Sequence, residues 1–379
     1  MERLDTRTIR VGVTGSGYAE HRNIIDLPFR NVRVGRHRDL IQVLDHIYFR
    51  ATNSLTPVLH GRHMHLGLCN YDVLHFFNKT SLSNTPWVST FENHIPRLTT
   101  RHRGLTERLL HPKCIGLISM SERALLQQEA WLAPFPDLRD AIMARTTVMH
   151  PAQKALVGDD HVKPNIQDGV RCLMVGHDLF RKGGLPMLRA FDRVLQRGGP
   201  FHLTIVSRMH IGDYVSQATS ADLQEAMAII GRHPERITLH STLPNAEVLR
   251  AFREAHVALL TTFDDTYGYS VLEGQAHACA TITTDVCALP EINDEACGWM
   301  ITLPQNERKE ATWRTQQGRA VLNRAIEEQL EAILDEIAAD PGRAIKKGLA
   351  GLARIRRDHD PQQKADTLEA LYRSGLNRQ

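Results

Sequence analysis

The sequence predicts an α/β protein made of two doubly wound, Rossmann-like lobes, and three observations carry that expectation. Short β-branched runs alternate with helical patterns, which is the arrangement of a parallel sheet covered by helices. The alternation occurs twice, on either side of a polar stretch with no pattern of its own. A chain of 379 residues also exceeds one ordinary core, at a prior of about 150 residues per domain. Apolar residues make up 42% and charged residues 23%, so both halves can bury a core.

In the first half, strands are expected over Arg10 to Thr14, Asp72 to Phe77, Trp87 to Phe91, Cys114 to Met120 and Thr146 to Met149. The second set comprises Arg171 to Val175, His202 to Ser207, Arg236 to His240, Val257 to Thr262, Ala280 to Thr284 and Trp299 to Leu303. Helices in the second half are better signed. Leu188, Phe191 and Leu195 share one face; Val248, Leu249, Phe252 and Ala255 share another; Leu322, Ile326, Leu330, Ile333 and Ile337 recur at helical spacing. Between the sets, Gly158-Asp159-Asp160 and Lys163-Pro164-Asn165 favour neither helix nor strand. The expected division is therefore a first lobe over 1–160, a second over 161–355, and a closing helix over 356–379 packing back on the first.

The 46 basic residues against 43 acidic ones leave a net charge of +3, too little for a dedicated nucleic-acid binder. Six cysteines without a CxxC pair fit a reducing cytoplasm. No apolar run approaches the roughly 20 residues of a membrane span, and the first residues lack a signal-peptide core. A cytoplasmic protein is expected, at most peripheral to the inner face of a membrane. Two basic stretches bear on that contact: Arg33, Arg36 and Arg38, and the group Arg343, Lys346, Lys347, Arg354, Arg356 and Arg357. Each fits either a solvated helix face or an anionic lipid surface. Twenty histidines, with His60, His63 and His65 close together, form no HExxH or Cys/His motif. They are read as surface or loop residues, and no metal is expected.

Chemistry concentrates in two segments. From Thr261 to Glu291, a strand enters a loop holding Asp264, Asp265 and Gly268, and a helix opens near Ser270. Free N–H groups at a helix start attract phosphate, and carboxylates beside them suit sugar or ribose hydroxyls. Ser270 and Glu273 equally fit a capping box that only satisfies the backbone. Upstream, Val175-Gly176-His177-Asp178-Leu179-Phe180-Arg181-Lys182-Gly183-Gly184 leads from a strand into a helix with two cations at the turn. In the first half, Gly15 and Gly17 follow the opening strand, but Glu20 stands where a dinucleotide fingerprint needs its third glycine. Glu92 and His94 follow another strand, where they would contact a sugar, take an acceptor proton, or form an ordinary polar loop. Ser119-Met120-Ser121 is a strand end that caps a helix or joins the site.

Together the two segments resemble the retaining GT-B glycosyltransferases of the GT4 family, by motif over about residues 170–300 and by architecture elsewhere. Residue by residue, the resemblance makes Asp265 the acid on the donor sugar, usually Glu in the family, and Glu273 the acid on the ribose. Gly268 lets the backbone approach phosphate, with Tyr267, Tyr269 and Ser270 around it, and Leu289-Pro290-Glu291 matches a family turn. Lys182 takes the place of the lysine on the donor diphosphate. His177 stands where the family has arginine, with Arg181 nearby to compensate. Cys287-Ala288 replaces the usual glycines, and Ala280 stands where glycine is common.

The resemblance implies two lobes across a cleft, the first for the acceptor and the second for the donor. It implies transfer from a nucleotide-diphosphate sugar to a hydroxyl, with retention, no divalent ion and no cofactor beyond the donor. The acceptor would be a carbohydrate, a lipid-linked molecule or a small molecule. Asp265 and Lys182, with His94 and Glu92 from the first lobe, are the candidate catalytic residues; Gly15 and Gly17 join the donor-binding set. Other readings are a sugar-nucleotide epimerase of the same fold, a dinucleotide oxidoreductase, and a binding protein without turnover.

Overall fold

The computed structural model describes residues 7–53, 61–65, 69–98, 100–158 and 160–378. It divides into two compact units, Met1–Ala152 with His359–Gln379, and Gln153–Asp358.

The first unit holds β1 (Ile9–Val13), β2 (Val32–Arg36), β3 (Arg62–His63), β4 (Val73–Phe77), β5 (Thr80–Ser81), β6 (Trp87–Phe91), β7 (Cys114–Ser119) and β8 (Thr146–Val148). Six of these form a parallel sheet in the order β2-β1-β4-β6-β7-β8, while β3 and β5 pair separately. A central parallel strand is covered on both faces, and all five residues of β6 are buried, the polar Ser89 and Thr90 included. Strand β2 was not expected. Its exposed Arg33 and Arg36 fall on opposite faces of an edge strand, Arg36 on the same side as Val32 and Val34, so the basic stretch is part of a sheet edge and not one basic face. Helix α1 (Leu40–Thr52) starts at Asp39, whose side chain accepts from Ile41 N; α2 (Glu122–Leu132) starts at Ser121, whose hydroxyl accepts from Ala124 N at 2.9 Å. Ser121 is thus a plain helix cap.

The histidine-rich stretch is not a surface feature. His60 lies outside the described residues, His63 is fully buried on β3, and His65 is half-buried.

The second unit contains β9 (Val170–Asp178), β10 (Phe201–Arg208), β11 (Ile237–His240), β12 (Val257–Leu260), β13 (Ala280–Thr284) and β14 (Gly298–Ile301). They form a parallel sheet in the order β11-β10-β9-β12-β13-β14. Around it lie α3 (Gly184–Gln196), α4 (Asn245–Glu254), α5 (Tyr269–Ala276), α6 (Gln316–Ala339) and α7 (Gly342–Asp358). Of the periodic residues expected to face inward, Leu188, Phe191, Phe252, Leu322, Ile326, Leu330 and Ile337 are buried, while Leu195, Val248 and Leu249 are half-buried.

The break between units falls after Ala152, ahead of the expected position 160. Residues just beyond it already belong to the second unit: Leu156 N donates to Ala276 O at 2.9 Å, and Val157 packs with Ala278 and Leu352. Two charges of the basic stretch on α7 are anchors for this unit. Lys347 Nζ donates to Gly298 O at 2.7 Å; Arg354 reaches Asp294 Oδ2 at 2.8 Å and Glu291 O at 2.9 Å. Only part of that stretch, including Lys346 and Arg356, is exposed.

The closing helix α8 (Pro361–Asn377) belongs to the first unit. Its Ala365, Leu368 and Tyr372 pack with Val11, Val73, Val88 and Ile118, and the Tyr372 hydroxyl shares a 2.6 Å hydrogen bond with the buried His75. Among the described residues no helix is long and apolar enough to cross a membrane.

Candidate functional site

The second sheet runs outward from β9 through β10 to β11, then resumes at β12 on the other side of β9. Such a reversal opens a crevice at the carboxyl ends of the two strands where it occurs, and ligands of doubly wound sheets bind there. The loops leaving β9 and β12 are the two segments singled out in the sequence.

Those loops are fastened to each other. Phe263 N and the Thr262 hydroxyl both donate to Arg181 O at 3.2 Å, and the Thr261 hydroxyl lies 3.3 Å from the carbonyls of Lys182 and Gly183. The approach is so close that a Cβ on Gly183 would sit 1.9 Å from Thr261 O, and its φ of +68° is one that side chains rarely adopt. A Cβ on Gly176 would meet Lys182 Cγ at 2.9 Å, so this glycine clears the path of the lysine stem. Thr261, Thr262 and Gly183 were not among the expected site residues. The Lys-Gly-Gly run was the one local sign of a crowded backbone.

The fastening sets the geometry of the charged pair. Lys182 is buried, and its Nζ donates to Asp265 Oδ2 at 2.6 Å. The other carboxylate oxygen of Asp265 accepts from Tyr267 N at 3.3 Å, which fixes its orientation.

Beside this pair α5 begins, and its start corrects the capping-box expectation. Gly268 occupies the N-cap with φ +96° and offers no side-chain acceptor, while Ser270 is the second helical residue. The first-turn N–H groups of α5 therefore lack a side-chain cap, and Glu273 is not required for one. Gly268 is compelled here twice over, by its left-handed φ and because a Cβ would meet Leu289 Cδ2 at 2.6 Å. Glu273 lies half-buried one turn into the helix. The rings of the buried Tyr267 and the half-buried Tyr269 are 5.8 Å apart. Cys287, at a family glycine position, has φ +55°, the conformation that explains a glycine preference there. Its Sγ lies 3.4 Å from Asp264 Oδ1.

The remaining second-unit candidates sit at the end of β9. Arg181 is half-buried, and its Nε has no hydrogen-bond partner among the described residues; the same holds for Asp178 Oδ1. His177 is exposed and stacks on His210 with centroids 6.1 Å apart.

The other candidates belong to the first unit. The Glu20 carboxylate lies over the Gly15–Gly17 loop: a Cβ on Gly15 would be 2.0 Å from Glu20 Oε1, and one on Gly17 2.8 Å from Oε2. An anion already covers that loop. Glu92 pairs with Arg97 at 2.5 Å and exchanges hydrogen bonds with Asn78, so its carboxylate is occupied. His94 stacks on Trp131 with centroids 4.1 Å apart, and burial pushes its pKa down to about 4. A neutral imidazole so reluctant to take a proton is a weak general base at neutral pH.

Residues 169–313 match the family model of glycosyl transferases group 1. The similarity to group 1 glycosyl transferases is confined to this segment of the chain. It spans both fastened loops and therefore contains Lys182, Asp265, Gly268 and Glu273. Solved structures resemble the chain over nearly its whole length. A glycosyltransferase from Rickettsia africae is 11% identical, with a TM-score of 0.60 over 98% of this chain and 100% of that one. HepE of Anabaena in complex with UDP is 10% identical, with a TM-score of 0.60 over 97% and 100%. The UDP-forming trehalose-phosphate synthase of Burkholderia xenovorans is 10% identical, with a TM-score of 0.61 over 97% and 99%. At such identities the likeness is one of fold, and the fold is GT-B. No curated protein matches the sequence significantly.

Proposed function

We propose that the second unit binds a nucleoside-diphosphate sugar and transfers its glycosyl group to an acceptor hydroxyl, with retention and without a divalent ion. The observation that carries this reading is Lys182 Nζ, 2.6 Å from Asp265 Oδ2, beside a helix start with no side-chain cap. A buried ammonium and converging N–H groups suit a diphosphate, and a fixed carboxylate next to them suits sugar hydroxyls. Glu273 is assigned to the ribose, Arg181 to the diphosphate edge, and Tyr267, Tyr269 and Ser270 to the walls.

During transfer, the bond from the anomeric carbon to the diphosphate oxygen breaks, and its electron pair stays on that oxygen. Lys182 and the α5 N–H groups stabilise the charge. The acceptor oxygen bonds the anomeric carbon on the same face, and its proton passes to the departing phosphate. This route needs no protein base, in keeping with the occupied Glu92 and the weakly basic His94. In the first unit, Gly15, Gly17, Glu92 and His94 are assigned to the acceptor, because carboxylates and a neutral imidazole favour hydroxyls over phosphate.

HepE binds UDP, so UDP-sugars are the first donors to test, followed by GDP-, ADP- and dTDP-sugars. A ligand at 100 times its Kd stabilises the native state by about 2.7 kcal/mol, which raises the melting temperature by several degrees. Release of the matching nucleotide with an acceptor present is the expected second result. No stabilisation by any nucleotide sugar, or an undiminished shift in Lys182→Ala, overturns the reading. One observation favours a binding protein without turnover: the exposed His177 where the family carries arginine. Donor-induced stabilisation without nucleotide release under any acceptor would select that reading, and an isomerised free donor would select an epimerase.

A further inference from the structure

We propose that the first unit binds a borderline-soft divalent cation of the zinc type through His37, His65 and Cys69. One donor atom from each of these three residues lies within 4.8 Å of the others, close enough for one ion to bridge them. His37 Nε2 and His65 Nδ1 are buried, and neither has a hydrogen-bond partner among the described residues. An unsatisfied buried nitrogen is costly, and two of them beside a thiol form a ready ligand set.

The surroundings prepare these atoms for a metal. His65 Nε2 is 3.0 Å from Thr85 Oγ1, which engages the outer nitrogen and leaves Nδ1 for the ion. The segments that carry His37 and His65 are fixed by other bonds. His37 N donates to Val13 O at 2.8 Å, Leu40 N to Met64 O at 3.1 Å, and His65 N to Ser83 Oγ at 3.3 Å. Between His37 and α1, the buried Asp39 accepts from Lys79 Nζ at 2.8 Å. The His37 and His65 rings meet edge to face at 5.2 Å. Cys69 is half-buried, whereas the other five cysteines are buried, and its spacing from His65 falls in the range of zinc ligand pairs. On binding, the Cys69 thiol loses its proton to solvent, and the thiolate with two neutral imidazoles leaves a fourth position open. The ion would staple the end of β2 to the stretch following β3. This proposal is independent of the donor site.

The test uses the full-length protein, stripped with a chelator and then loaded with zinc or cobalt(II) ions. One zinc per chain is expected to survive desalting, and the cobalt form is expected to show a thiolate charge-transfer band with intense tetrahedral visible bands. Cys69→Ser should lose the charge-transfer band. His65→Gln should weaken zinc binding at least tenfold with an unchanged circular-dichroism spectrum. A measurement without variants guards against misfolding: zinc should slow alkylation of Cys69 by iodoacetamide at least tenfold, read by peptide mass spectrometry. Failure of the wild-type protein to retain metal, a charge-transfer band that persists in Cys69→Ser, or alkylation of Cys69 indifferent to zinc would each overturn the proposal.

Discussion

The two six-stranded parallel sheets differ in strand order, β2-β1-β4-β6-β7-β8 against β11-β10-β9-β12-β13-β14, and at their carboxyl ends. Beyond the second sheet, two loops are fastened by buried threonines and glycines with no room for a methyl group, and the pair they hold is a buried cation against a carboxylate. Beyond the first sheet, the glycine loop is covered by Glu20, Glu92 is occupied by Asn78 and Arg97, and His94 lies neutral against Trp131. Under the proposed function, the end of the second sheet takes a doubly charged anion and that of the first takes neutral, hydroxyl-bearing molecules. Fold selects where a ligand goes, and the side chains at the strand ends select its charge.

The sharpest way to break this contrast is Lys182→Ala. Removing one preorganised group that stabilises developing charge lowers turnover by about 10²–10³-fold. The melting temperature should shift little, because the Asp265 carboxylate left behind keeps access to water. Steady-state nucleotide release and a thermal scan on the same sample decide it; an equal fall in stability would make the pair structural.

Paired glycine substitutions test the difference in rigidity. Gly183→Ala combines a positive φ with a backbone collision and should cost about 3 kcal/mol. Gly15→Ala meets only the end of a flexible Glu20 side chain and should cost less than about 1 kcal/mol. Denaturant titration of both variants gives the comparison, and equal losses would erase it.

Acid should separate the units. Burial lowers His75 to about 3 and His94 to about 4 from the ordinary 6.5. The unfolded chain therefore takes up protons first as the pH falls. The stability these groups contribute is complete above about 6.5 and is lost progressively toward 3 to 4. In the second unit, burial lowers His277 in the same direction, to about 4. Hydrogen exchange at pH 7 and pH 5 should show the larger loss of protection in the first unit, and in α8 above all, where Tyr372 bonds His75.

The smallest effects concern α5. Glu273→Gln should weaken donor binding about tenfold, or about 1.4 kcal/mol, without changing the melting temperature. Ser270→Ala should change stability by less than about 0.5 kcal/mol, because Gly268 holds the cap. A loss near 1 kcal/mol would restore the capping box.

How far the sequence revealed these features depended on how local their causes are. Strands β6 and β13 were legible to the residue, since β-branched and aromatic residues dominate both. Strand β2 was not, because alternating valine and arginine on an edge reads as a basic tract. Lys182 and Asp265, far apart in the chain, were linked by resemblance, whereas Thr261 and Gly183 escaped notice because a backbone collision leaves no local pattern. Ser270 misled for the opposite reason: its spacing to Glu273 satisfies a local rule that the left-handed Gly268 overrides two residues earlier. His63 misled because its burial on the two-residue strand β3 leaves no local pattern.

The return of α8 to the first unit has a consequence for how the molecule is made. Residues 153–358 are contiguous, so the second unit is complete when they have left the ribosome. The half that begins at the amino terminus still lacks Ala365, Leu368 and Tyr372 and must wait for them. Synthesis therefore finishes the two halves in the reverse of their order of appearance. A chain cut before Pro361 would damage the half encoded first and spare the one encoded second.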